Sequence, residues 1–200
     1  DKSTPARQEG HDGIATLALL TDLAALPQWV VWRLEPRPGE PKPAKVPYNP
    51  RTGRRAKASD ATTWGTFAEA VTAYRRRPGQ YAGIGFELAE GGNLTGVDFD
   101  GCVDPDTGAV SEWAAGWVRR LATYTEISQS GRGLHCIGRG TLPPGGRKTD
   151  RLEVYDSGRF FALTGNAVPG APLEAADCGP AIAELHAEVW PPTETPVHRG

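Results

Sequence analysis

Leu94-Thr95-Gly96-Val97-Asp98-Phe99-Asp100-Gly101 alternates apolar with acidic side chains between two glycines. Read as a β-strand, it sends Asp98 and Asp100 to one face and Val97 and Phe99 to the other. Two carboxylates so close resist ionising together unless a cation sits between them, and hard oxygen donors on a rigid strand suit Mg2+ or Mn2+. The preceding YAGIGFEL (81–88) has strand character, and AEGGN (89–93) carries the glycines of a tight hairpin joining the two strands.

Nucleotidyl and phosphoryl transfer commonly use two divalent ions, which calls for a third carboxylate. RLEVYD (151–156) supplies it. Leu152 and Val154 form its apolar face and leave Glu153 and Tyr155 opposite, so Glu153 is selected and Asp156 is read as a turn residue. TYTEIS, QSGRG and LHCIG (123–138) read as a second hairpin. Its loop places Ser130, two glycines and Arg132 before His135, a setting in which backbone N–H groups and a guanidinium can meet phosphate. Leu134 and Cys136 point to the core, which puts His135 on the open face. Arg159 opens FFALTG, a strand expected to run antiparallel to that of Glu153.

Further upstream, residues 14–26 have helical spacing and QWVVWRLE (28–35) reads as a buried strand. Residues 37–59 are rich in Pro and Gly and are expected to form an exposed excursion without regular structure. From Pro41 to Ser59 this stretch has six Lys or Arg and no acid. Lys45, Tyr48 and Arg51 there combine charge with a ring, as single-strand binders do, and are read as template-binding; a solvated loop is the plain alternative. Thr62 or Thr63 is expected to cap a helix carrying Trp64, Phe67, Ala70, Val71 and Tyr74, Ser111 to cap another, and AIAELHAEV (181–189) to form a last one. Hairpins plus helices indicate an α+β fold.

The 200 residues, 38% of them hydrophobic, are enough for one substantial core. A net charge of −2 means that nucleic-acid binding must rest on local patches. The three cysteines form no C-x-x-C pair, so zinc is not expected. No apolar run approaches the roughly 18 residues of a membrane span, and a cytoplasmic protein is expected. We expect a disordered segment at 1–13, a catalytic domain at 14–190, and a linker at 191–200 leading to a missing C-terminal region.

In order, GIGF, VDFDG, SxSGxGxH and EVYxSGRFFxxTG resemble the prim-pol domains of the archaeo-eukaryotic primase superfamily, as found in phage and plasmid replication proteins. WVVWR, KVPYNPRTGRRAKASD and TTWGTFAEA extend the likeness over most of Trp29 to Asn166. The resemblance implies an N-terminal α/β lobe and an RRM-like lobe of mostly antiparallel sheet, with the catalytic cleft between them. It also implies DNA primase and polymerase activity with dNTP or NTP substrates on single-stranded DNA, two Mg2+ or Mn2+ ions on Asp98, Asp100 and Glu153, and often a C-terminal helicase. Ser130, Arg132, His135 and Arg159 then fall at nucleotide-contacting positions and Lys45 at a phosphate or template position, in a bacterial host's cytoplasm.

Two rivals carry different chemistry. VDFDG also matches the first motif of haloacid dehalogenase-like phosphohydrolases, in which Asp98 is a nucleophile, but that motif normally opens a doubly wound parallel sheet. A catalytically silent single-strand-binding module fits the basic rim, yet the acids would repel its ligand.

Overall fold

The computed structural model describes residues 13–191. The expected N-terminal segment and the linker fall outside them, except for Gly13, which begins α1 (Gly13–Leu19), and Pro191. The anticipated single helix at 14–26 is α1 followed by α2 (Thr21–Ala24).

Among the described residues, eight strands form two sheets of four. The first is ordered β2 (Ala44–Tyr48), β1 (Trp29–Glu35), β3 (Gly83–Glu87), β8 (Phe160–Leu163). The second is ordered β5 (Tyr124–Ile127), β6 (Leu134–Arg139), β4 (Leu94–Phe99), β7 (Leu152–Tyr155). Every pair in both sheets is antiparallel, so the architecture is α+β and lacks the parallel sheet that the phosphohydrolase reading requires.

Two expected hairpins are crossovers between the sheets. β3 is flanked by β1 and β8, while β4 is flanked by β6 and β7, so neither has a free edge for the other. The 88–93 connection accordingly steps between sheets, using positive φ at Gly91 and Asn93. β8 likewise leaves β7 and completes the first sheet, which therefore combines early and late segments of the chain. The β5–β6 hairpin forms as expected.

Residues 37–59 contain a strand after all. β2 is held because Val46 and Tyr48 face the core, and its Pro47 is tolerated because β2 is an edge strand. α3 (Phe67–Arg76) starts later than expected: Thr66 is its N-cap, in a reciprocal capping box with Glu69. Thr62 and Thr63 belong to a short 3-10 turn capped by Asp60. Ser111 does cap α4 (Glu112–Leu121), accepting from the Ala114 N–H.

One core lies between the sheets and under α1–α3, around Trp29, Phe86, Tyr124 and Phe161. Trp29 meets Phe67 and Phe86 edge-on at 4.8 and 5.2 Å, a geometry that adds about 0.5–1.5 kcal/mol per pair beyond burial. A second core packs Val97, Phe99, Leu134, Cys136, Leu152 and Val154 against α4 and α5 (Gly179–Val189). These six alternate with the acids and histidine of β4, β6 and β7, which are thereby turned to the opposite face.

Candidate active site

Strand register sets one row of polar side chains across the second sheet. Glu126 pairs with His135, His135 with Asp98, and Asp98 with Glu153. Directly paired residues share a face, so four strands each contribute one group to a single line. The Nε2 of His135 lies 3.8 Å from the Asp98 carboxylate, and its Nδ1 lies 3.2 Å from Oε1 of Glu126.

Glu126 has no exposed surface, yet its carboxylate is fully engaged. It accepts from the Thr164 N–H at 3.0 Å, the Gly165 N–H at 2.9 Å and the Tyr124 hydroxyl at 2.7 Å. With those donors in place, the carboxylate favours a proton on His135 Nδ1 and leaves Nε2 facing Asp98. The Phe161 ring packs edge-on to the imidazole, with centroids 5.4 Å apart, and fixes its second side. Gly96 allows this approach, because a Cβ there would come closer to the Phe161 ring than van der Waals contact permits.

Asp98 and Glu153 differ in their surroundings. Burial pushes the Asp98 carboxyl up to about 6; His135 opposes the shift and the Asp100 and Glu153 charges add to it. Glu153 sits among cations: it pairs with Lys148, accepts from the Tyr155 hydroxyl at 3.0 Å and lies 3.4 Å from Arg159. Its carboxyl stays below the usual range; burial alone would raise it, and the Lys148 and Tyr155 bonds outweigh that effect. Arg159 also donates to the Tyr155 hydroxyl at 3.0 Å.

These groups open into a cleft of about 510 Å3 lined by Asp98, His135, Glu153, Lys148, Arg159 and Lys45, with Phe160 and Phe161 at its wall. Arg37 and Lys42 reach it from the β1–β2 loop. Lys45 also lies over the Trp32 ring at 5.7 Å.

Not every expected residue joins the cleft. Asp100 lies one residue beyond β4, in an exposed turn tied by its N–H to the Arg151 carbonyl at 3.0 Å. It acts on Asp98 through its charge but is not aligned with it on the strand. Among the described residues no group of three His, Cys, Asp or Glu is gathered as a metal-ligand set. The gathered pair is Asp98 with Glu153, whose hard oxygen donors and mutual charge match a divalent cation in kind. Ser130 and Arg132 stay on the β5–β6 loop, where Ser130 Oγ accepts from the Arg132 N–H at 3.2 Å.

Tyr48 and Arg51, two residues expected at the template, do not line the cleft. Tyr48 is 4% exposed and hydrogen-bonds Arg33 and Glu35, so its ring is unavailable for stacking on a base. Arg51 lies away from the cleft, bound to Glu69 and to the Thr62 and Trp64 carbonyls. The sequence reading missed Glu126 and Lys148. An acid in the otherwise β-forming TYTEIS was the available signal for Glu126; Lys148 offered none.

Fold and cleft together define an α+β protein whose acids and cations converge where two antiparallel sheets meet. Over 163 residues, 78% of its length, the chain is 32% identical to the DNA Primase-polymerase of Nitratiruptor phage NrS-1. The chain spans about 22% of that relative's own length. No protein-family model matches it. Among the described residues no helix is long and apolar enough to cross a membrane.

Proposed function

We propose that this chain is the catalytic domain of a primase-polymerase of the archaeo-eukaryotic superfamily, joining nucleotides on a single-stranded DNA template. The observation that carries this reading is the row His135, Asp98, Glu153, backed by the buried Glu126, opening into a cleft ringed by Lys45, Lys148 and Arg159. Acids to hold cations and cations to hold a triphosphate stand within one cavity, and the similarity to a phage primase-polymerase supports the assignment.

Asp98 and Glu153 would hold Mg2+ or Mn2+, with the charge of Asp100 nearby on the turn; bound there, the metal would supply charge neutralisation at the triphosphate and acidify the attacking hydroxyl. His135, held through Nδ1 by Glu126, would donate an Nε2–H to a phosphate oxygen as the doubly protonated ring. Arg159 and Lys148 leave Glu153 to meet the same anion, while Ser130 and Arg132 stay outside the cleft on the hairpin loop. Lys45 meets the template strand. In a phage or plasmid replication setting, a helicase in the parent chain would be the natural partner.

The test is extension of a labelled primer-template with dNTPs and Mg2+ or Mn2+, comparing the native chain with Asp98→Ala and Glu153→Ala. Each variant is expected to lose on the order of a hundredfold or more, as for removal of a group stabilising transition-state charge. Native rates in both variants would defeat the assignment. Phosphate release from phosphomonoesters without incorporation would favour a hydrolase. A labelled dinucleotide formed without primer would establish priming.

A further inference from the structure

A second basic concavity lies apart from the cleft, between the turn after β2 and one face of α3. It encloses about 380 Å3, and Arg51, Glu69, Thr72, Ala73, Arg76 and Arg77 line it. Positions 69, 72, 73 and 76 recur at helical spacing, so the floor is small and the rim cationic. Glu69 is already committed to the α3 capping box and to Arg51, which is fixed in turn by the Thr62 and Trp64 carbonyls. Arg76 and Arg77 are exposed, and no carboxylate among the described residues pairs with either. Two unneutralised guanidinium groups beside a third that is held rigid, in a chain of net charge −2, form a local anion site.

β2 connects this groove to the cleft. Ala44 and Lys45 line the cleft, and Pro50 and Arg51, just past Tyr48, line the groove. Fully extended, the chain from Lys45 to Arg51 would reach on the order of 20 Å, and the turn at 50–52 makes the actual span shorter.

We infer that the α3 groove is a second contact for the phosphate backbone of a single-stranded nucleic acid, reached by a strand that also occupies the catalytic cleft. The inference rests on the template reading of the cleft. It gives Arg51 a different part from the one expected: Arg51 walls the groove, and Arg76 and Arg77 take the phosphates.

The plain alternative is that Arg76, in the last turn of α3, and Arg77, its C-cap, only offset the helix dipole. Equilibrium binding of labelled single-stranded oligonucleotides 4 and 20 nucleotides long separates the two. Arg76→Gln/Arg77→Gln is expected to bind the long strand about tenfold more weakly and to flatten its salt dependence by roughly 1.4, at 0.7 per phosphate contact. The short strand, held in the cleft alone, should bind as to the native chain, and Arg76→Lys/Arg77→Lys should restore most of the long-strand affinity. Unchanged long-strand affinity and slope, or equal losses for both lengths, would overturn the inference. So would binding of anionic lipid vesicles in place of the long strand. Because the readout is binding, Asp98-dependent synthesis with an unaltered groove variant defeats the groove alone, whereas groove-dependent binding with Asp98-independent synthesis defeats the site alone.

Discussion

His135 and Glu126 face each other across adjacent strands, 3.2 Å from Nδ1 to Oε1, in a setting where the glutamate has no exposed surface. Glu126 is thus the fixed partner: two backbone N–H groups and a tyrosine hydroxyl hold it, and it holds the imidazole. The Thr164 and Gly165 donors follow β8, so this contact also ties the second sheet to the end of the first.

Glu126→Gln tests that support. The amide turns an N–H2 toward donors that need an acceptor, leaving buried groups unpaired at a cost of about 1–3 kcal/mol. Urea unfolding should show that loss, and primer extension should fall further than the residual folded fraction explains. A variant with native stability and native extension would show that His135 needs no such partner.

Gly96→Ala should disturb the same face from the other side. The added methyl overlaps the Phe161 ring, so overpacking of about 1–3 kcal/mol is expected in a denaturant melt. Adding Phe161→Leu should recover part of that loss. If the double variant is as unstable as the two losses added together, the Gly96–Phe161 contact is not the source of the cost.

Glu87 sets a pH dependence of stability. It is fully buried on β3, both carboxylate oxygens lack a hydrogen-bond partner, and burial pushes it from 4.5 up to about 7. Below about pH 4.5 it is protonated in both states and imposes no slope. Between there and about pH 7 only the unfolded chain releases the proton, so stability falls by roughly 1.4 kcal/mol per pH unit, and above pH 7 the loss is complete and constant. Glu87→Gln removes the charge, so unfolding free energies from pH 5 to pH 8 should flatten relative to the native chain. Parallel profiles for the two proteins would contradict this.

Arg159 bridges Tyr155 and Glu153 at the mouth of the cleft. Under the proposed function, Arg159→Ala removes a phosphate contact and should raise the KM for nucleotide about tenfold or more, with a smaller effect on kcat. An unchanged KM with lowered kcat would instead give Arg159 a part in the chemical step.

Alternation within single strands made part of this site legible from the chain alone. Val97 and Phe99, Leu134 and Cys136, Leu152 and Val154 fill the second core, and their neighbours Asp98, His135 and Glu153 must then share the opposite face. A period of two is a local property, imposed by the pleat, and each strand shows it without knowledge of its partners. The expected α+β class and the β5–β6 hairpin followed from the same local signals.

Pairing between distant strands was decided only by tertiary structure. The alternation of β3 and β4, or of β7 and β8, fits a hairpin as well as a step between sheets; the choice depends on which edges other strands already occupy. Burial of Tyr48, the diversion of Arg51 to α3 and the seating of Glu126 behind His135 follow from that long-range choice. Sequence determined which face each side chain takes on its own strand, because neighbouring backbone geometry sets it. Tertiary structure determined which faces meet, because that depends on burying apolar surface contributed from the whole chain.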